Sequence, residues 1–305
     1  MPMRTWRRSL ARLISLVLVL GAAAIVIKAE AEAARLTTNP PALRKVPKQT
    51  PATDGLSFID AGVTTAEGLK LVGWYIPGTN GVTVIFVHGY KNDRGSMLGS
   101  AAMYHAHGYG ALVIALRAHD RSDGDRITFG HLEVGDLEAW YQFAVRQPNI
   151  DPRRIALVGV SMGGAISIQY AARNPRIAAV VADSAFSSMD DTIATSVRHF
   201  TGLPAFPFAS LIGFWIREET GLTREEADAK RAIGRIAPRP VFLMQGGADT
   251  TISPDSGRLL YDAAGQPKTL WFDPALDHAK FFDQRRDEYE RRVVVGFMDH
   301  YLLGR

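Results

Sequence analysis

No cysteine occurs anywhere in the chain. Disulfides, thiolate nucleophiles and zinc–thiolate sites are therefore excluded. Such a chain tolerates an oxidising compartment without requiring one. A second absence is of charge: residues 13–27 carry none. A third is of basic excess in the main body. Of the 35 Lys/Arg and 31 Asp/Glu in the chain, nine and two lie within residues 1–48, leaving 26 and 29 beyond. The net charge of +4 thus belongs to the leader. That argues against a nucleic-acid-binding surface on the body. Internal repeats are also lacking.

The leader supports two main readings. An uncharged helix over residues 13–27 spans roughly 22 Å, short of a ~30 Å hydrocarbon core. Extending it over 10–29 closes the gap if Arg12 and Lys28 snorkel to the interfaces. Arg4, Arg7, Arg8 and Arg12 then stay in the cytoplasm and the body lies outside. On this reading residues 1–29 are a single-pass membrane anchor. The rival reading is a cleaved signal peptide, with Ala29-Glu30-Ala31 as an A-x-A site. Arg7-Arg8-Ser9-Leu10 faintly resembles a twin-arginine signal. A stray apolar helix on a cytosolic protein is the third option. Residues 30–54, interrupted by Pro40, Pro41, Pro47 and Pro51, read as a tether.

Beyond about residue 55 the pattern becomes regular. Short apolar runs at 69–76, 82–87, 111–116, 155–160, 178–182, 241–244 and 269–272 read as strands. Helical patterns at 97–107, 132–146 and 163–172 alternate with them, and a last helix covers 279–303. The alternation predicts an α/β fold, a mostly parallel central sheet with helices on both faces. Residues 184–237 break the rhythm with helical stretches at 191–200, 208–219 and 223–233, and read as a helical lid insertion.

Gly159-Val160-Ser161-Met162-Gly163 is a G-x-S-x-G motif between a predicted strand and a predicted helix. That context makes Ser161 a candidate nucleophile on a sharp turn at the sheet edge. Serine needs a base to take its proton. Only His199, His278 and His300 follow it. His278 sits in a loop after a strand, whereas His199 falls in the insertion and His300 in the last helix. The orienting acid is expected between serine and histidine. Asp249, in Gly246-Gly247-Ala248-Asp249, ends a strand on the same edge and is the first candidate; Asp183 and Asp277 are its rivals. An oxyanion hole needs two N–H donors. Met162 supplies one, and Tyr90, in His88-Gly89-Tyr90, is expected to supply the other. His88 reads as a structural hydrogen-bonder. Phe206, Phe208, Phe214 and Trp215 in the insertion would suit an apolar acyl chain, or merely pack the insertion onto the core.

These residues resemble the α/β-hydrolase superfamily. More narrowly they are similar to its serine aminopeptidase/monoacylglycerol-lipase-like branch and to membrane-anchored esterases of the same fold. The likeness also rests on Gly73-Trp74-Tyr75, residues 117–124, Gly130-His131-Leu132-Glu133 with Asp136, and Asp183-Ser184. Where the family usually has R-G-H-G-x-S, this chain has Arg117-Ala118-His119-Asp120-Arg121-Ser122. Ala118 and Asp120 then require strain or a different backbone path. Asp277 stands before His278 where glycine is common. The resemblance implies hydrolysis of carboxylic esters, of small-molecule or lipid-like substrates, with no metal or cofactor. A peptidase acting on short peptides is the nearest alternative, and a non-catalytic binding protein on the same fold is a further one.

Overall fold

The computed structural model describes residues 3–148, 150–226 and 228–305. Its centre is an eight-stranded sheet: β1 (Ile59–Thr64), β2 (Lys70–Ile76), β3 (Thr83–Val87), β4 (Gly110–Ile114), β5 (Ile155–Val160), β6 (Ile177–Asp183), β7 (Val241–Gly246) and β8 (Lys268–Asp273). The strand order is β1-β2-β4-β3-β5-β6-β7-β8. The β1–β2 and β2–β4 pairs are antiparallel and the rest are parallel. The parallel strands point their C-terminal ends to one edge, where an open α/β sheet presents its functional loops. All five β3 residues are buried, as are five of six in β5, which is why these strands read as unbroken apolar runs.

The helices are α1 (Met3–Thr37), α2 (Leu98–Ala106), α3 (Glu133–Ala144), α4 (Met162–Arg173), α5 (Met189–Thr201), α6 (Ala205–Thr220), α7 (Ala229–Ile233) and α8 (Asp255–Ala263). The sheet separates two apolar layers. One is built around Ile85, Leu112, Leu157 and Trp140. The other contains Trp74, Phe86, Phe242 and Phe297. The segment between β6 and β7 carries α5, α6 and α7. Ser188 caps α5 by accepting from Asp191 N at 3.0 Å. Gly202 and Gly221, both left-handed, end α5 and α6.

Strand β1 and helix α8 were not expected from the sequence, and three further features depart from the expectation. The expected last helix is broken into turns at Phe281–Gln284 and Arg286–Tyr289, then a π-helix over Glu290–Leu303. The helix expected over 223–233 is confined to Ala229–Ile233. Residues 30–54 are not a free tether. Helix α1 runs on to Thr37, and Ala29, Ala33 and Leu36 pack against Ile212 and Ile216 of α6 and Val197 of α5. Glu32 accepts from Lys28 and Arg35, both at 2.7 Å, so the charges that dilute apolarity here support the helix. Beyond it, Asn39 Nδ2 donates to Ala118 O at 2.7 Å, and the Arg44 guanidinium donates to Ser122 O at 2.6 Å and to Gly124 O. Before those contacts begin, Leu13 to Leu20 of α1 are exposed.

Candidate active site

Ser161 stands between β5 and α4 with φ 56° and ψ −121°, a strained turn of the kind that a nucleophile elbow requires. Small neighbours make the turn possible. A Cβ on Gly163 would collide with the carbonyls of Val87 and His88, and one on Gly159 with the backbone of Gly163. The turn is tied to the next strand, since Ser161 N donates to Asp183 O at 2.7 Å.

His278 lies beyond β8, in the loop before Phe281. Ser161 Oγ and His278 Nε2 are 2.9 Å apart, and His278 Nδ1 and Asp249 Oδ2 are 2.8 Å apart. With Nδ1 donating to the carboxylate, Nε2 is left to accept the serine proton. The Asp249 side chain is fully buried and its carboxylate is saturated. Oδ1 accepts from Thr251 N at 2.9 Å and Ile252 N at 2.8 Å; Oδ2 accepts from Gln245 Nε2 at 3.1 Å as well as from His278. Such bonds fix the position and the plane of the group.

The rival acids are placed differently. Asp183 is buried and accepts from Ser184 Oγ at 2.9 Å. Burial pushes its carboxyl up to about 7, the Ser184 bond opposing the rise. Its neighbour Ser184 accepts from Ala279 N at 3.0 Å, so Asp183-Ser184 braces both the serine turn and the histidine loop. Asp277 accepts from His278 N at 2.7 Å and Thr250 N at 3.2 Å. It pins the loop through the backbone and its own carboxyl is held low by these bonds.

The loop after β3 lies against the serine: a Cβ on Gly89 would sit 3.4 Å from Ser161 Cβ. Tyr90 N donates to no partner among the described residues. Met162 is the first residue of α4, where an N–H has no intrahelical acceptor. Two buried histidines hold this loop. His88 Nδ1 donates to Gly89 O at 2.8 Å and Nε2 accepts from Leu116 N at 3.2 Å. His119 Nδ1 donates to Arg117 O at 2.7 Å and Nε2 accepts from Lys91 N at 3.0 Å. Burial pushes His88 down to about 4 and His119 well below the usual value, so both stay neutral. Ala118 and Asp120 take the left-handed conformation, with φ 56° and 52°. The glycine path is thus kept and the strain carried. Asp120 has a compensation, a buried ion pair with Arg94 at 3.0 Å, itself stacked 4.2 Å from the Trp74 ring.

Two cavities meet at Ser161. The larger, about 380 Å³, has mixed walls, with Asn92, Ser96, Asp183 and Lys280 beside Met97, Met244 and Phe282. The smaller is a narrow slot of about 60 Å³ with almost wholly apolar walls, among them Phe129, Phe186, Ile193 and Phe200. The aromatics singled out in the sequence line neither. Phe206 is 89% exposed and Phe214 47%, while Phe208 and Trp215 pack beside the α1–α6 contact. Periodicity did not reveal which face of α6 turns inward. Gln245 went unremarked in the sequence reading, and Ser184 entered it only through the family resemblance. A polar residue inside a fully buried strand was the available signal for Gln245.

Residues 79–215 match the family model described as serine aminopeptidase, S33. The matched stretch includes the Tyr90 loop and Ser161 and ends before Asp249 and His278. The solved esterase Pf2001 of Pyrococcus furiosus superposes with a TM-score of 0.73 at 27% identity, covering 87% of this chain and 98% of its own. The chain has the α/β-hydrolase fold. An uncharacterized protein of Mycobacterium tuberculosis, Rv2307c, is 29% identical over 76% of this chain and 78% of its own length. The uncharacterized protein YfhR of Escherichia coli K12 is 25% identical over 77% of this chain and 78% of its length. Among the described residues of this α/β-hydrolase, Ser9–Thr37 has the length and hydropathy of a helix able to cross a membrane.

Proposed function

We propose that the protein is a serine hydrolase that cleaves carboxylic esters through an acyl-enzyme on Ser161. The observation that carries this reading is the unbroken hydrogen-bonded line from Ser161 Oγ through His278 to the buried Asp249. His278 Nε2 takes the serine proton as Oγ attacks the ester carbonyl. The Tyr90 and Met162 N–H groups receive the developing oxyanion, each contributing roughly 3–4 kcal/mol to the transition state. His278 then protonates the departing alcohol and later activates the water that frees the acid. Asp249 keeps the imidazole in its Nδ1–H form and stabilises it when charged. Helices α5–α7 act as a lid over this edge. Helix α1 anchors the chain in a cell membrane with the body on the extracytoplasmic side, and cleavage after Ala31 is the alternative fate of the leader.

The family model's description favours one second reading, a peptidase that holds a substrate ammonium. Asp183 is the buried acid in the larger cavity, but a carboxyl pushed up to about 7 is a poor fixed anion. The ester reading is tested by rapid-mixing kinetics on p-nitrophenyl esters and aminoacyl p-nitroanilides, with intact-mass detection of the acylated protein. A burst and an acyl adduct on Ser161 with esters are expected. Turnover of anilides alone would transfer the protein to the peptidases.

A further inference from the structure

We propose that the last two turns of α1 are a working part of the site: they wall a slot that binds the apolar acyl chain of the substrate and hold the oxyanion loop in place. The proposal rests on the ester reading and adds a binding site and its ligand class.

The wall is direct. Leu36 of α1 lines the same narrow slot as Ser161 and Met162, facing Ile193, Val197 and Phe200 of α5 and Ile216 of α6. An acyl chain attached to Ser161 has two directions to take. The larger cavity mixes apolar Met97, Met244 and Phe282 with Asn92, Ser96 and Asp183, so an alkyl chain lying there would desolvate polar groups it cannot satisfy. The slot offers hydrocarbon, at roughly 0.8 kcal/mol per buried methylene. The acyl chain therefore runs between α1, α5 and α6, and the polar alcohol occupies the larger cavity.

The brace follows from where the carbonyls at the end of α1 find donors. The last four of a helix have no partner within it. Here Ala34 O accepts from Thr38 N at 3.0 Å and Thr37 O from Ile127 N at 2.7 Å. The two between them are taken by the oxyanion loop: Leu36 O accepts from Tyr90 Oη at 2.7 Å, and Arg35 O from Lys91 Nζ at 2.8 Å. The negative end of the helix also favours the lysine charge. The Tyr90 ring is gripped by Phe129, stacked at 5.8 Å, and Phe200, edge-on at 5.2 Å. Arg35 in turn donates to Phe200 O at 2.7 Å. Tyr90 is thus a positioning residue through its side chain, fixing the N–H that the oxyanion must meet.

The test uses the full chain in detergent and a series of p-nitrophenyl esters from acetate to dodecanoate. Leu36→Trp fills the slot and Leu36→Ala deepens it. The chain length of highest kcat/KM is expected to shorten in the first and lengthen in the second. Tyr90→Phe keeps the ring and removes the bond to Leu36 O. It is expected to lower kcat about tenfold at every chain length with KM nearly unchanged. Leu36 variants with the wild-type chain-length profile would overturn the acyl slot, and an unchanged kcat in Tyr90→Phe would overturn the brace. Failure of the wild type to hydrolyse any of the esters is a different result: it overturns the ester reading on which the slot rests.

Discussion

The sheet edge and the helical half above it are held together by different forces. At the edge, backbone and buried polar groups are paired with one another: Asp249 accepts from four donors, and Asp183-Ser184 joins the serine turn to the histidine loop. In the helical half, Ala29, Ala33, Leu36, Val197, Ile212 and Ile216 meet through apolar contact. Hydrogen bonds specify angles and positions; hydrocarbon contact specifies volume and tolerates exchange of one shape for another. On the proposed reading, the edge fixes a reaction geometry and the helical half accommodates an apolar partner.

The sharpest break in that contrast is at the edge. His278→Ala and Asp249→Ala are expected to lower kcat/KM by about 10⁶-fold and about 10⁴-fold respectively, with folding unchanged by circular dichroism. Next in size is Asp120→Gly. It relieves a left-handed φ but strips Arg94 of its buried partner. Unfolding in urea is expected to show a loss of about 3 kcal/mol; a gain would show that strain outweighs the ion pair.

Asp183 gives a smaller, pH-dependent effect. Its folded-state value, about 7, lies above the ordinary 3.8. The folded protein therefore binds the proton more tightly than the unfolded chain, and this group's contribution to stability falls as pH rises between about 4 and about 7. Asp183→Asn removes the dependence. The variant is expected to gain on the wild type from pH 5 to pH 8, by on the order of a kcal/mol or more. A constant difference across that range would contradict the assignment. The smallest effect belongs to the helical half: Phe206→Ser, at an exposed position outside both cavities, is expected to leave hydrolysis of a soluble short ester within twofold of wild type. A larger loss would extend the reach of the site to that corner of α6.

How much of this was legible in the sequence follows the same division. The parallel strands are continuous apolar runs, so β3 to β8 were readable, as was the grouping of Ser161, Asp249 and His278 at the ends of β5, β7 and β8. Strand β1 was missed because it is an edge strand with one buried residue and a central glycine. Helix α8, with Ser256, Gly257 and Leu260 as its buried face, offers too little apolar periodicity to stand out. In the helical half, facing was the hidden variable. The 29, 33, 36 spacing on α1 marked a buried stripe, yet the prolines that follow drew the reading toward a tether. Which residues of α6 turn inward is decided by α1, and that partner is not written in α6 itself.

The central claim is an activated serine at the sheet edge, and a fluorophosphonate probe tests it without knowledge of the substrate. Wild-type protein, Ser161→Ala and His278→Ala would be labelled side by side and the modified peptide mapped by mass spectrometry. The account predicts rapid, stoichiometric labelling of wild type at Ser161, none in Ser161→Ala, and labelling slowed by at least about a hundredfold in His278→Ala. A folded wild type that stays unlabelled, or labelling that persists at wild-type rate without His278, would contradict it.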